Sequence, residues 1–302
     1  MNQLFVAIEI IIFNLVGLFG NINLLVLTFK KPSLHNKSSF LQCCLSFSHI
    51  ICLLFELPNA FLLITGLKVS RSFCYPAISL YIFFICTQAM LMLMLVIDLY
   101  AIIFLPKIYR TMDNFQYVML FLTPPLIYSS FVLIYGFLKI DDQLLLFCNP
   151  PLALHPTASR FWSLSNVVIN TTVLALFMVI IVIFHYKGMN QKKNTRWLIK
   201  RPKVTVFIFL ISWYTCILGV DFFVTIGLSG NSLAFLQSNM VFFALLCYSQ
   251  SFYVILWRSS EYRLAFMELW ACVPIFKSSK LRDKWAGSSK KRTTRVSTIV
   301  ST

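Results

Sequence analysis

Charge is scarce in this 302-residue chain. Asp, Glu, Lys and Arg make up 12% of it, about half of the ~25% usual for a soluble globular domain. Acidic residues are rarest, ten Asp and Glu against 26 Lys and Arg. Such a chain cannot cover a core of this size with a polar surface, so lipid is the expected solvent. Nine cysteines occur without any CxxC pair, and no HExxH or Walker sequence is present. The four histidines, His35, His49, His155 and His185, are scattered. Zinc, redox, metalloprotease and nucleotide chemistry therefore have no sequence support, and neither an enzyme nor a bound cofactor is expected. No internal repeat suggests a transporter built from duplicated halves.

What is present in excess is apolar: 59% hydrophobic residues, 16% of the chain aromatic. A helix needs about 20 apolar residues to cross the hydrocarbon core. Seven such runs occur, at 4–29, 40–65, 73–105, 115–138, 161–186, 204–228 and 233–257. Turn residues and charges separate them, among them Lys30–Lys31–Pro32, Pro106–Lys107, Asp141–Asp142 and Ser229–Gly230–Asn231. The fold class predicted is an all-α membrane protein, a bundle of seven transmembrane helices over 1–258.

The basic residues give the bundle a direction. Loops one, three and five hold three, two and seven Lys or Arg, and ten more follow Trp257, twenty-two in all. The opposite side has only Lys68, Arg71, Lys139 and Arg160. The positive-inside rule puts the tail in the cytoplasm and Met1 outside, in a multi-pass plasma-membrane protein. This distribution follows membrane topology, so a nucleic-acid partner is not expected. The first run lacks a basic n-region and precedes Lys30–Lys31, so it reads as an uncleaved span. The basic segment 187–203 should attract anionic lipid. Past the last run, residues 259–274 place Tyr262, Ala265, Phe266, Leu269 and Trp270 on one face, an amphipathic interfacial helix. Cys272 at its end is a palmitoylation candidate. Residues 275–302 are basic, rich in Ser and Thr, and predicted disordered.

Individual residues then add a resemblance. Gly20–Asn21 lies in the first run; Cys74 opens the third and Asp98 nears its end, with Leu99–Tyr100, Pro106 and Tyr109 following; Phe209 and Trp213 form F-x-x-x-W. With Cys148–Asn149–Pro150–Pro151 and the stretch Trp257–Arg258–Ser259–Ser260–Glu261–Tyr262–Arg263–Leu264–Ala265–Phe266, residues 10–270 resemble the nematode serpentine chemoreceptors of the Srsx class, rhodopsin-like G-protein-coupled receptors. The resemblance implies a small-molecule ligand, a heterotrimeric G protein as partner, possible homo- or heterodimers, and a place in sensory neuron cilia. It also implies a Cys74–Cys148 disulfide on the oxidising side; free thiols are the alternative.

Ligand contacts are expected on the third-span face that carries Cys74, Ile78, Tyr81, Ile85, Gln88 and Met92 at spacings of three and four. Polar groups are costly against lipid, so Gln88 should face the bundle. The fifth run adds Ser163, Asn166 and Asn170 on one stripe; the sequon Asn170–Thr171–Thr172 lies inside a span and should stay unglycosylated. Four carboxylates, Glu9, Glu56, Asp98 and Asp221, lie in or near spans. Glu56, ahead of Pro58, is the leading polar ligand contact, with Asp221 and Trp213 also assigned to the ligand set. The alternative for each is a structural role within the bundle.

Departures from the rhodopsin-like pattern bear on signalling. Leu99 replaces the arginine that normally follows Asp98, His49 stands at the sodium-site aspartate, and Thr215 stands where a proline usually kinks the sixth span. The seventh reads Ser249–Gln250–Ser251–Phe252–Tyr253, keeping only the tyrosine of N-P-x-x-Y. Asp98, Leu99, Tyr109 and Tyr253 are the expected coupling residues, with Arg110 or the third inner loop as the cation nearest Asp98. The seventh run has no lysine for a retinal Schiff base, and an outside N-terminus argues against an odorant-gated channel of the insect kind. A signalling-silent seven-helix chaperone or dimer partner of another receptor remains the alternative, because of Leu99.

Overall fold

The computed structural model describes residues 2–145, 148–188, 207–228 and 230–271. Its helices in chain order are α1 (Asn2–Lys30), α2 (Lys37–Thr65), α3 (Arg71–Ala77), α4 (Ser79–Phe104), α5 (Pro106–Thr111), α6 (Asn114–Leu138), α7 (Pro150–Ala153), α8 (Pro156–Gly188), α9 (Thr215–Thr225), α10 (Gly230–Arg258) and α11 (Ser260–Leu269). Among the described residues, α1, α2, α4, α6, α8 and α10 contain runs long and apolar enough to span a membrane. The sixth of the seven runs is helical as well. Its apolar part, Phe207–Gly219, passes through a π-helical turn at Leu210–Tyr214 and continues as α9.

Local chemistry sets the helix ends. Asn36 accepts the Ser39 backbone N–H at 2.9 Å, so α2 begins before its apolar stretch does. Asp113 caps α6 in the same manner through Phe115. The third span is divided at Ile78, two residues after Pro76, whose ring nitrogen has no proton to donate.

The α4 helix is the axis of the bundle, packed against α2, α6 and α8, while α1 lies against α2 and α10. Its inward residues Tyr81, Ile85, Leu91, Met92 and Val96 join one core with Leu53 of α2, Trp162 of α8, Trp213 of the sixth span and Leu245 of α10. Outward residues such as Leu15, Phe61, Phe131 and Leu164 stay exposed, as a lipid-facing belt requires. Asn21 ties the two ends of the chain together: its amide donates to Gly17 O at 2.9 Å and to Tyr248 O at 2.8 Å. The backbones approach so closely there that a Cβ on Gly20 would sit 3.1 Å from that of Phe252.

The apolar face of α11 is covered by protein. Tyr262, Ala265 and Phe266 are buried with Leu24, Leu27, Leu34 and Phe252, and Trp270 donates its indole N–H to Asn23 at 2.7 Å. The amphipathic face expected in the lipid interface is thus turned onto the first and seventh spans. Cys272, most of the 187–203 segment and the 275–302 tail lie outside the described residues.

Candidate functional site

At one end of the bundle a disulfide joins Cys74 of α3 to Cys148, 74 residues later. Directly after Cys148 the chain turns as α7. Asn149 starts the turn by accepting the Leu152 N–H at 3.2 Å, and two prolines fill the first helical positions. Further bonds hold this segment. Strands β1 (Val69–Ser70) and β2 (Leu144–Leu145) pair antiparallel. Arg71, 5% exposed at its side chain, reaches Asp141 at 2.5 Å, Gln143 Oε1 at 3.0 Å and Leu152 O at 3.2 Å. Burial alone would push the Asp141 carboxyl up, but the Gln143 N–H and the Arg71 guanidinium outweigh it and hold the carboxyl below its ordinary range.

Beneath α7 lies a cavity with about 530 Å³ of empty space, open mouth included. Asn149, Pro150 and Pro151 roof it; Glu56, Tyr81 and Ile85 form one wall, Trp162 and Ser163 another. Trp213, Cys216 and Ile217 of the sixth span and Gln237, Met240, Val241, Ala244 and Tyr248 of α10 complete it. Glu56 points inward because His49, Cys52, Leu53, Glu56, Ala60 and Leu63 make one buried stripe of α2. Its carboxylate accepts from the Tyr81 hydroxyl and, at 2.9 Å, from Asn59. The Tyr81 and Tyr248 hydroxyls are 3.5 Å apart, and the Tyr248 ring lies 6.0 Å from that of Trp213. Gln237 Oε1 and the Trp213 indole N–H are buried without a hydrogen-bond partner. The site is thus an aromatic chamber with a single carboxylate on its wall.

Not every residue assigned to this region from sequence lines it. All six residues of the expected third-span face are buried, but Gln88 lies in a separate, tightly packed interstice, too narrow to hold a water, with His49, Met92, Phe209, Gln250 and Ser251. There the His49 ring nitrogen is 3.4 Å from Ser251 Oγ, and neither amide atom of Gln88 has a partner. Asn166 is buried, yet its amide donates to Trp162 O at 2.8 Å and Tyr128 at 3.4 Å, away from the chamber. Asn170 is fully buried and lines neither space. The side chain of Asp221 lies outside the described residues. Conversely, Gln237, Tyr248 and the Asn149–Pro150–Pro151 roof were not singled out as ligand contacts from sequence. The polar Gln237 within an apolar run was the available signal.

The opposite end centres on Asp98, 3% exposed. It accepts from Ser38 at 2.5 Å and Tyr117 at 2.8 Å. Among the described residues the cation acting on it is Lys37, where the sequence suggests Arg110; most of the third inner loop, the other candidate, lies outside the described residues. Lys37 is itself buried; it donates to the Tyr109 carbonyl and lies 4.6 and 5.2 Å from the Tyr109 and Tyr117 ring centres. The start of α2 occupies the place because Asn36 caps it against the end of α4. Leu99 is buried in the main core. Tyr253 faces outward, 38% exposed, and donates to Val16 O at 2.8 Å.

Comparison with known proteins agrees with this arrangement. No curated protein sequence matches the chain. Residues 14–270 match the family described as serpentine type 7TM GPCR chemoreceptor Srsx. That match takes in the second half of α1 and every later long helix, and the chain belongs to the Srsx family of serpentine, seven-transmembrane G-protein-coupled chemoreceptors.

Proposed function

We propose that the protein detects a small molecule in the chamber beneath α7 and signals from its Asp98 end to a heterotrimeric G protein. The observation that carries this reading is the chamber itself: five helices converge on an open-mouthed, largely apolar space with four aromatic rings and few polar groups, the usual character of a small-ligand site. Its roof is the Cys148–Pro151 segment, held by the disulfide and by Arg71. Glu56, Tyr81 and Trp213 are the contacting residues of this reading; Gln88, Asn166 and Asn170 belong to the surrounding bundle, and Asp221 remains a proposed contact whose side chain lies outside the described residues.

Trp213 connects binding to signalling. It sits in the π-helical turn of the sixth span, where the helix ladder is locally irregular and the Ser212 hydroxyl bonds Ile208 O at 2.7 Å. A ligand pressing on Trp213 acts on the least regular point of that span. Asp98, Leu99 and Tyr109 stand at the coupling end, with Tyr253 at its margin. The charge asymmetry supports Met1 outside and the tail in the cytoplasm; membership of a chemoreceptor family is the ground for placing the protein in the plasma membrane of a sensory cilium. The 187–203 segment would meet anionic lipid, Cys272 would carry a palmitoyl chain, and a second receptor copy could pair alongside.

Expression in calcium-reporting cells with a panel of small odorants and metabolites tests the reading. Ligand-driven signals that disappear in Trp213→Ala, with surface expression kept, support it. Silence to the whole panel at normal surface expression counts against it.

A further inference from the structure

The chamber is electrostatically lopsided. Of its sixteen lining residues only Glu56 carries a formal charge, and no Lys, Arg or His is among them. Glu56 is 2% exposed, and the ion pairs among the described residues, Lys31–Glu268, Arg71–Asp141 and His155–Asp141, do not include it. Its two donors, Tyr81 and Asn59, are neutral. An ionised carboxylate offers about four acceptor positions, so about two stay open. A carboxylate withdrawn from water stays ionised only with a cation or a full set of donors and otherwise takes up a proton. Among the described residues Glu56 has two neutral donors and no cation, so a cationic ligand is the group that would hold it ionised.

The rest of the chamber is suited to the missing charge. Tyr81, Tyr248, Trp213 and Trp162 line the same chamber as the acid, and aromatic rings attract organic cations. Gln237 Oε1, 6% exposed, is a second buried acceptor with no donor. A protonated amine carries several N–H donors and one positive charge, filling both vacant acceptor sets at once. A neutral alcohol brings one donor and no charge; a carboxylate would meet like charge without a cation in reach.

We propose that Glu56 is the counter-ion for a small protonated organic amine with an apolar body, and that Gln237 accepts a second of its N–H groups. This rests on the reading of the chamber as the ligand site and narrows it to one chemical class. A charge-assisted hydrogen bond contributes about 1.5–3 kcal/mol, so a cognate amine should bind roughly 10- to 150-fold tighter than its matched alcohol.

The test uses the full-length receptor in lipid nanodiscs, with binding read as ligand-dependent thermal stabilisation, which needs no G protein. The probes are protonated primary and tertiary amines paired with their alcohols, such as 2-phenylethylamine with 2-phenylethanol and isoamylamine with isoamyl alcohol, plus phenylacetate as the anion. The expected result is stabilisation by amines alone, loss of at least about tenfold in amine affinity in Glu56→Gln, and a retained or improved response of that variant to the neutral partner. Should Glu56→Gln fail to fold, Gln237→Leu leaves the carboxylate in place and should cost about tenfold or more, as a hydrogen bond from a charged donor does. Alcohols or phenylacetate binding as well as the amines, an amine affinity indifferent to both substitutions, or silence across the amine panel overturns the proposal. Neutral compounds that drive signalling independently of Glu56 would overturn the ligand class and leave the receptor reading intact. Amine binding without nucleotide exchange would do the reverse.

Discussion

Replacing Lys37 by methionine removes one nitrogen and keeps most of the side-chain volume, so it isolates the polar contacts that join α2 to the end of α4, to α5 and to α6. The Lys37 ammonium donates to the Tyr109 carbonyl, lies over the Tyr109 and Tyr117 rings, and faces Asp98. A hydrogen bond to a charged group contributes about 1.5–3 kcal/mol and a desolvated cation–π contact about 0.5–2 kcal/mol. These terms share one ammonium and do not add in full, giving about 2–4 kcal/mol. For a chain of this size the loss corresponds to roughly 4–10 °C in melting temperature. The Asp98 carboxylate would keep Ser38 and Tyr117 but lose its cation. Because the cluster fastens the coupling end in one arrangement, Lys37→Met should also raise basal nucleotide exchange. Nanodisc melting and GTPγS exchange without ligand read the two effects. In a double-mutant cycle, Asp98→Asn should cost little further once Lys37 is gone, with a coupling energy of about 1 kcal/mol or more. Unchanged melting and unchanged basal exchange in Lys37→Met, or strict additivity with Asp98→Asn, would refute the Lys37–Asp98 cluster as a fastening.

Cys74→Ser and Cys148→Ser each open the same 74-residue loop. Chain-entropy reasoning assigns that closure about 4 kcal/mol, so the two should lower surface expression equally, and the double variant no further; unequal effects on cell-surface labelling would refute the shared role. Gly136→Ala places a Cβ 1.9 Å from the Tyr75 hydroxyl oxygen, an overpacking of about 1–3 kcal/mol that should lower the melting temperature and be relieved by Tyr75→Leu. The depressed Asp141 carboxyl contributes stability that is complete above its ordinary value of 3.8 and lost as pH falls through its lower folded value. Melting should therefore show no pH dependence from this group between pH 7 and pH 5, where its contribution is fully present, and an acid loss below about pH 4 that Asp141→Asn removes. Leu99→Arg forces a guanidinium into a position only 6% exposed. At this end of α4 such burial costs several kcal/mol unless the charge is paired, so surface biotinylation should fall and coupling should not improve; normal expression with stronger ligand-driven signalling would contradict this.

The spans were legible because bilayer thickness fixes how long an apolar run must be. Their starts were not, since Lys37, Ser38 and Ser39 are polar and their helical state depends on Asn36 as a cap. The third-span stripe was readable from spacing alone. Its division was not: Tyr81 and Gln88 share a face but stand two turns apart, about 10.5 Å along the axis, and so enter different spaces. Thr215 in place of proline pointed to a missing kink. The irregularity instead arises at Leu210–Tyr214, where the Ser212 hydroxyl occupies ladder carbonyls. The partner of Asp98 was beyond local reading, because Ser38 lies 60 residues away and Lys37 reaches it only through the fold. Tyr253 fits a sequence motif, yet its outward direction follows from the rotation of α10 against α1, which no pattern in α10 records.

The most direct test of the receptor function is ligand-dependent GTPγS exchange on a purified heterotrimeric G protein, with the receptor in nanodiscs and compounds that stabilise it thermally. The expected result is exchange that rises with ligand in the wild type and is lost in Trp213→Ala, whose surface expression and melting stay near normal. Exchange that never responds to a ligand bound in the chamber would contradict it.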